Sequence, residues 1–217
     1  MKILKLNLFQ ETTCYKKPFS FKVSETYPLP PYSTVIGMLH KIIGANPGEY
    51  YDMDISIQGN YESIFTNYQS LKNYKKDGKI TTMPRDVHLL HNVELVIHVK
   101  AEDEIIDRIY ENIIHGKETF TLGRNEDLVR VDSVKIINEP KIVRQKFINK
   151  YNAYVPLKYT DKYENGINYK LNSKYTIENE IRIWEKVDVI YIERHTDESI
   201  MELEQDEDED YIYWYKG

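Results

Sequence analysis

The stretch Thr26–Gly44, TYPLPPYSTVIGMLHKIIG, constrains the fold more than any other part of the sequence. Its prolines fix φ and hold the preceding residues extended, which predicts a stiff lead-in ending at Pro31. Ser33 then has the character of an N-cap, and Gly44 stands where a helix-ending glycine is common. The apolar residues between them fall on one face of a helix predicted over Thr34–Ile43: Val35, Ile36, Leu39, Ile42 and Ile43.

The start of this helix is a candidate anion site. Backbone N–H groups of a first turn and the helix dipole both favour a phosphate. Gly37 and Lys41 lie on the polar face of the same helix. The alternative is a capped helix that only packs against the core.

Apolar alternation elsewhere predicts an α+β fold. Strands are expected over Lys2–Phe9, Met53–Gln58, His88–Lys100 and Val129–Ile137, with a second helix over Asp103–His115. The order strand, helix, strand, strand, helix, strand is that of a ferredoxin-like unit. We therefore predict a ferredoxin-like domain over residues 1–138 and a small, β-rich antiparallel region over residues 139–217.

A basic hairpin is predicted at about residues 60–88. Asp77-Gly78 is a tight-turn signal between two polar arms, and a long insertion of this kind is usually functional or disordered. Tyr68 and Tyr74 could stack on bases, and Arg85 lies at the base of the hairpin. The alternative is an ordinary solvated loop. Lysines cluster near the tip: Lys72, Lys75, Lys76 and Lys79.

The charge is unevenly distributed. The net charge is −6, from 29 basic and 35 acidic residues, but nine of the acids lie in the run 197–210. Without that run the basic residues outnumber the acidic ones by three, which predicts a mildly basic body carrying a solvated acidic segment. The aromatic end Tyr211–Lys216 is expected either to dock on the sheet or to enter a partner. The 19 tyrosines and many lysines suit RNA binding, although an AT-rich genome gives the same composition.

Other features exclude several classes of protein. The single cysteine, Cys14, rules out an intrachain disulfide and is typical of the cytoplasm, and no apolar run is long enough for a membrane span or a signal peptide. His88 and His91 would point to opposite faces of a strand, so no metal site is predicted. No cofactor is expected.

Three motifs together resemble the CRISPR-associated Cas five family of type I Cascade, with a likeness to the type I-B form. They are the Thr26–Gly44 stretch, MPRDVHLLHNVELVIHV and FTLGRNEDLVRVD, and their order agrees with the family over about residues 1–137. The resemblance implies an RNA-recognition-like fold and a subunit that holds the five-prime handle of the guide RNA (crRNA). It also implies a thumb at the basic hairpin and an RNA contact at Gly123-Arg124-Asn125, where the alternative is a turn glycine with a surface arginine.

The predicted function is a non-catalytic, cytoplasmic RNA-binding subunit of Cascade. The resemblance implies contacts with the backbone subunit and the large subunit, and with target DNA only through the complex. One alternative is a metal-independent endoribonuclease that processes precursor crRNA, with His40 beside Lys41 or His115 beside Lys117. Another is a protein-interaction module without RNA. The predicted RNA contacts are Lys16, Lys17, Tyr32, Ser33, Thr34, Gly37, Lys41, Lys72, Lys75, Lys76, Lys79, Arg85, Gly123, Arg124 and Asn125.

Overall fold

The computed structural model describes residues 1–18, 20, 23–46, 48–156, 159, 166–195 and 197–217. Within these ranges the chain is α+β, as predicted, and consists mainly of antiparallel strands with two helices. No helix in the described part of the chain has the length and apolar character needed to cross a bilayer. The elements are β1 (Lys2–Thr13), β2 (Val23–Ser24), α1 (Tyr32–Ile43), β3 (Asp54–Asn60), β4 (Ser63–Tyr74), β5 (Ile80–Ala101), α2 (Asp103–His115), β6 (Phe120–Thr121), β7 (Leu128–Ile137), β8 (Lys141–Ile148), β9 (Asn152–Pro156), β10 (Ile167–Glu178), β11 (Ile181–Ile192), β12 (Asp197–Gln205) and β13 (Tyr211–Ile212).

The centre of the main sheet is formed by the four strands predicted from periodicity. They lie in the order β3-β5-β1-β7, and each is antiparallel to its neighbour. Leu4, Leu6 and Leu8 of β1 join one core cluster with apolar residues of both helices. Because side chains alternate along a strand, Lys5, Asn7 and Phe9 leave β1 on the opposite face, which we call the open face.

Helix α1 begins two residues earlier than predicted, at Tyr32. The N-cap is Pro31 and no side chain caps the helix, so the prediction of Ser33 as N-cap is wrong. The Pro31 carbonyl accepts the N–H groups of Thr34 and Val35 at 2.9 and 3.3 Å, so the helix itself uses these two donors. Gly44 ends the helix at φ 74°, as predicted, because a left-handed residue there favours glycine.

The predicted basic hairpin is confirmed. Strand β4 pairs with the first half of β5 from Ser63 opposite His91 to Tyr74 opposite Ile80. The turn is closed by the Lys75 N–H donating to the Lys79 carbonyl at 2.9 Å, and Gly78 has φ 78°. Strand β5 then continues into the middle of the sheet, so one strand of 22 residues joins the hairpin tip to the core.

The chain after residue 139 contributes to two sheets. Strand β9 pairs with β3 and β11 pairs with β9, so β9, β11 and β10 extend the main sheet. Strands β8, β12 and β13 form a separate three-stranded sheet. Strands β10 and β11 form a second hairpin, which turns at Asn179 and Glu180 with φ values of 49° and 64°. The division into domains at residues 138 and 139 stays a prediction.

The acidic run is not the solvated segment that its composition predicted. Residues 197–205 form β12, and the following turn leads into β13. Of the two alternatives for the aromatic end, docking on the sheet is the one observed: the Tyr213 N–H donates to Ser56 Oγ at 3.0 Å. Trp214 packs with Ile3 and Ile137 in a small core of its own. We call residues 206–214 the strap, since they lie across the open face.

Candidate nucleic-acid interface

Four of the lysines predicted to contact RNA lie at the distal end of the hairpin. Lys72 is on β4, and Lys75, Lys76 and Lys79 are in the turn; all four side chains are exposed. Tyr68 and Tyr74 are 71% and 76% exposed, although aromatic rings are usually more buried. Alternation puts Tyr68, Lys72 and Tyr74 on one face of the hairpin. This face therefore combines a positive charge with two rings available for stacking.

The other face of the hairpin is apolar near its end. Leu71 and Met83 pair directly across the two strands and are 39% and 47% exposed. Residues that pair directly share a face, so these two side chains form one small apolar patch. The hairpin thus presents chemically different surfaces on its two sides.

The base of the hairpin is anchored to the segment that follows β1. Arg85 Nη2 donates to the Ser20 carbonyl at 3.2 Å, and Val87 and Leu89 pack against Cys14. Arg85 Nε is buried and has no hydrogen-bond partner among the described residues. Arg85 is therefore partly committed to holding the hairpin in place.

The loop Gly123-Arg124-Asn125 packs against the same segment. Gly123 has φ 115°, and a Cβ there would lie 2.8 Å from Asp127 Oδ2 and 3.0 Å from Thr13 Oγ1. Both the backbone conformation and the close approach require glycine at this position. Asp127 in turn accepts the N–H groups of Cys14 at 3.1 Å and of Arg124 at 2.9 Å.

Arg124 is paired within the protein rather than extended into solvent. Its Nε and Nη2 bind the two carboxylate oxygens of Asp127 at 3.0 and 2.7 Å, and Nη1 lies 3.0 Å from Glu126. The Arg124 side chain is only 19% exposed, and that of Asp127 is 2% exposed. Burial alone would lower the pKa of Arg124, but Asp127 outweighs it and raises the pKa. The expectation of an exposed arginine is therefore wrong, although Asn125 beside it is exposed.

Cys14 connects these parts of the interface. Burial raises the pKa of its thiol, while the positive charges of Arg124 and Arg85 act in the opposite direction. Cys14 also donates its N–H to Asp127 and packs against Val87 and Leu89 at the base of the hairpin. The structure thus brings the loop at Gly123 and the base of the hairpin together, while the lysines at the tip lie apart from them.

The predicted residues of α1 have different environments. Tyr32 is fully buried and stacks on Tyr215 with ring centroids 4.4 Å apart, so its side chain does not reach a ligand at the surface. Ser33 and Thr34 are half-buried. Gly37 and Lys41 are exposed, and a Cβ at Gly37 would have no atom within 4 Å.

The connector after β1 carries the two remaining predicted lysines. Lys16 is exposed, and its backbone forms an isolated bridge with Thr26. Lys17 lies 3.4 Å from Glu25 and 5.9 Å from the ring centre of Tyr27, so its charge is already partly paired. The connector thus offers a freer cation at Lys16 than at Lys17.

The geometry of His40 does not favour the nuclease alternative. Its Nδ1 lies 2.8 Å from the Ile36 carbonyl, and its Nε2 accepts the Tyr51 N–H at 2.9 Å. With both ring nitrogens engaged by the backbone, His40 has no nitrogen left to take a proton from a ribose hydroxyl. His115 lies on the surface beside Glu111 at 3.3 Å.

A buried ion cluster that the sequence did not predict lies between β1 and the strap. Lys5 Nζ lies 2.5 Å from Asp206, 2.7 Å from Asp208 and 2.7 Å from Asp210, and its side chain is 1% exposed. His98 Nε2 is 3.0 Å from Asp206. Asp206, Asp208 and Asp210 approach one another as metal ligands do, but the Lys5 ammonium lies among them. The alternating acids of the run were the only sequence signal for this cluster.

The cluster shifts the pKa values of its members. Burial alone would lower the pKa of Lys5, but the hydrogen bonds to the three aspartates outweigh it and raise the pKa. Burial alone would raise the pKa of Asp206, but His98 and Lys5 hold it well below the ordinary value. Lys135 holds the pKa of Asp208 down. Lys5 and Asp206 are therefore charged at neutral pH and stabilise the strap.

We expect Arg124→Ala to lower the free energy of unfolding by about 1–3 kcal/mol, because it leaves the buried Asp127 carboxylate without its charge-assisted partner. Thermal and urea unfolding would measure this loss. Arg130→Ala is the matched control, since the Arg130–Asp132 pair is exposed and should contribute little. Adding Asp127→Asn should restore part of the stability lost in Arg124→Ala. An Arg124→Ala protein as stable as the wild type would show that the pair has no structural role.

We expect stability to fall as the pH is lowered from about 7 to 5. Burial lowers the pKa of His98 below its ordinary value of 6.5, so the unfolded state binds a proton that the folded state does not. Because the pKa of Asp206 is held well below its ordinary value, its contribution is lost only in more acidic solution. His98→Gln should flatten the pH dependence between 7 and 5, whereas His115→Gln should not. An unchanged slope in His98→Gln would contradict this assignment.

The amino-acid sequence matches that of a known protein family. A sequence profile described as CRISPR-associated protein (Cas_Cas5) matches residues 3–204. No curated protein matches the chain.

Solved structures share the fold at low sequence identity. A chain of a "CRISPR RNA-guided surveillance complex" is 13% identical, with a TM-score of 0.64 and 91% of each chain covered. A chain of a "Type III-B Cmr-beta bound to cognate target RNA and AMPPnP" is 12% identical, with a TM-score of 0.54, covering 90% of this chain and 86% of that one. A CRISPR protein from Archaeoglobus fulgidus is 10% identical, with a TM-score of 0.50 over the full length of both chains. Because the profile covers nearly the whole sequence, the chain belongs to the CRISPR-associated Cas five family.

Proposed function

We propose that this protein is a non-catalytic, RNA-binding subunit of a type I CRISPR surveillance complex that caps the five-prime handle of the crRNA. Membership in the Cas five family supports a role in a CRISPR effector complex. The observation that carries the RNA-binding proposal is the projecting hairpin with four exposed lysines at its end. Such a group of cations on an acidic protein is the local patch that a polyanion needs.

The two faces of the hairpin bind two different partners. Its face with Tyr68, Lys72 and Tyr74 holds RNA by phosphate contacts and stacking. Its apolar face, with Leu71 and Met83, packs against the backbone subunit of the complex, since exposed apolar side chains of this size favour a protein partner. The large subunit contacts another surface, and target DNA is reached only through the assembled complex in the cytoplasm.

We also infer that residues 1–138 form a ferredoxin-like domain. The support is the order β3-β5-β1-β7, with α1 after β1 and α2 after β5, which is the arrangement of the split βαβ fold. In this arrangement the connector after β1, the loop at Gly123 and the base of the hairpin lie around Cys14. In this proposal the RNA handle, where it leaves the hairpin, is contacted by Gly123, Lys16 and Asn125.

Incubation of the purified protein with labelled handle RNA in EDTA tests the proposal. We expect a mobility shift that weakens with salt, and intact RNA. Cleavage of precursor crRNA would overturn the non-catalytic assignment and favour a processing nuclease. Absence of a shift at low salt would overturn RNA binding itself and favour a module that binds only protein.

A further inference from the structure

The strand registers arrange the open face of the sheet in rows that cross four strands. One row contains Lys135, Lys5, His98 and Ser56. The row that passes through Phe9 is Arg130–Phe9–Glu94–Asn60, on β7, β1, β5 and β3. Residues that pair directly across strands share a face, so all four side chains of the Phe9 row belong to the open face.

The strap covers only part of this face. Asp206 binds Lys5 and His98, and Gln58 donates to the Tyr211 carbonyl. Trp214 covers Ile3 near the far end of β1. Among the described residues, no hydrogen bond, ion pair or ring contact joins the strap to Phe9 or Arg130. The chain therefore closes one half of its open face with its own residues and leaves the Phe9 row accessible.

A groove of about 450 Å³ lies along the accessible row, lined by Phe9, Asn60, Tyr61, Glu62, Asn92, Glu94 and Arg194. An adjoining cavity of about 330 Å³ shares Glu94 and reaches Tyr151 and Lys150. The two spaces follow one path across the sheet. The groove has room for one base, whereas Asp132, Asp208 and Asp210 line the adjoining cavity and disfavour a phosphate there.

Phe9 is placed for stacking rather than for packing. Its ring is half-buried and belongs to none of the core clusters found among the described residues. The guanidinium of Arg130 lies over this ring, 4.5 Å from its centre, and is itself 66% exposed. Aromatic rings and guanidinium planes are the two platforms on which proteins stack splayed bases.

We propose that this groove binds one nucleobase of single-stranded RNA, stacked on the Phe9–Arg130 pair and read by Glu94. The proposal rests on the proposed function, since it supposes that RNA is the ligand. It adds a second contact, distinct from the hairpin lysines, that reads the identity of a base rather than the charge of a phosphate.

Glu94 determines which bases fit. It is exposed and lies directly between Phe9 and Asn60 in the row. A carboxylate accepts hydrogen bonds and donates none, so it pairs with the exocyclic amino group of cytosine, adenine or guanine. Uracil has no amino group, and its one donor, N3–H, lies between two carbonyl oxygens that repel the carboxylate. The site therefore selects a base that carries an amino group.

The charges of the groove fit a base better than a phosphate. Asp132 already pairs with Arg130, and Glu94 and Glu62 oppose the charge of Arg194, so the groove has no excess of positive charge. A phosphate would need that excess, whereas stacking depends little on it. Phosphate binding thus belongs to the hairpin, and base reading belongs to the Phe9 row.

The test measures affinity of the full chain for short single-stranded oligo(C), oligo(A) and oligo(U) RNA at one salt concentration. The wild type should prefer oligo(C) and oligo(A) to oligo(U). Phe9→Leu should weaken oligo(C) binding about tenfold through lost stacking. Glu94→Gln should remove the preference against oligo(U), because an amide can donate to a uracil carbonyl. Glu111→Gln, an exposed carboxylate on α2, is the control for the change in charge.

The outcomes separate this site from the proposed function. No binding of any RNA by the wild type would overturn both. Normal RNA binding that is lost with the hairpin lysines but unaffected in Phe9→Leu and Glu94→Gln would overturn this site alone. If Phe9→Leu lowers the melting temperature, its weaker RNA binding could come from lost stability. The Glu94→Gln variant then tests the site, since its readout is the order of preference among the three RNAs. An unchanged order in that variant overturns the site.

Discussion

Lys5→Met is expected to lower the free energy of unfolding by about 3–5 kcal/mol, since it removes the buried cation that lies among three carboxylates. The ammonium lies within 2.7 Å of Asp206, Asp208 and Asp210, and the side chain is 1% exposed. Methionine fills a similar volume, so the loss reflects charge rather than a cavity. Urea unfolding followed by circular dichroism would measure it. The strap should also become sensitive to proteolysis before the rest of the chain unfolds.

A rescue separates charge from packing in this prediction. Lys5→Met combined with Asp206→Asn and Asp210→Asn should recover a large part of the lost stability, because no uncompensated buried carboxylate remains. Lys135→Met is the matched control: Lys135 also binds Asp208, but it is 36% exposed and should contribute little. If Lys5→Met and Lys135→Met were equally mild, the cluster would not hold the strap in place.

The simultaneous change of Lys72, Lys75, Lys76 and Lys79 to Ala should weaken handle-RNA binding about a hundredfold at physiological salt. This figure assumes that each lysine contacts one phosphate. For single-stranded nucleic acid, each such contact adds about 0.7 to the slope of log K against the logarithm of the salt concentration. The salt dependence of log K should accordingly become shallower by up to about 3. The melting temperature should not change, since all four side chains are exposed.

A control with the same change in charge makes this result specific. Lys117, Lys141, Lys170 and Lys186 are exposed elsewhere on the surface, and their joint change to Ala should affect RNA binding far less. Filter binding across a salt series would compare the two quadruple variants. Equal losses would mean that RNA responds only to net charge, and that the hairpin is not its binding site.

The central strands and the two helices could be predicted because the signals are local. Leu4, Leu6 and Leu8 alternate within one strand, and Ile36, Leu39 and Ile43 repeat within one helix, so each pattern is complete in about ten residues. The outer half of β5 has no such pattern, because both of its faces are exposed. The turn residues Asp77 and Gly78 identified it instead.

The environments of individual site residues could not be predicted from the sequence in the same way. Arg124 and Asp127 are three residues apart, but the sequence does not say whether an arginine pairs with a neighbouring carboxylate or with a ligand. Tyr32 was predicted as an RNA contact, yet it is buried and stacks on Tyr215, a residue far away in sequence. Lys5 alternated like a solvent-facing residue and became buried only through the strap. In each case the deciding partner lies outside the local pattern.

The distance in sequence between the ends of the Lys5 cluster has a consequence for synthesis of the protein on the ribosome. Lys5 and Asp210 are 205 residues apart, and β1 is complete long before the strap has been made. Contacts of such separation form late, because a long loop must close first. The nascent sheet therefore presents Lys5, His98 and Ile3 to solvent until residues 206–214 emerge. We expect chaperones and adventitious polyanions to bind it during that interval, and synthesis of the strap to end this exposure.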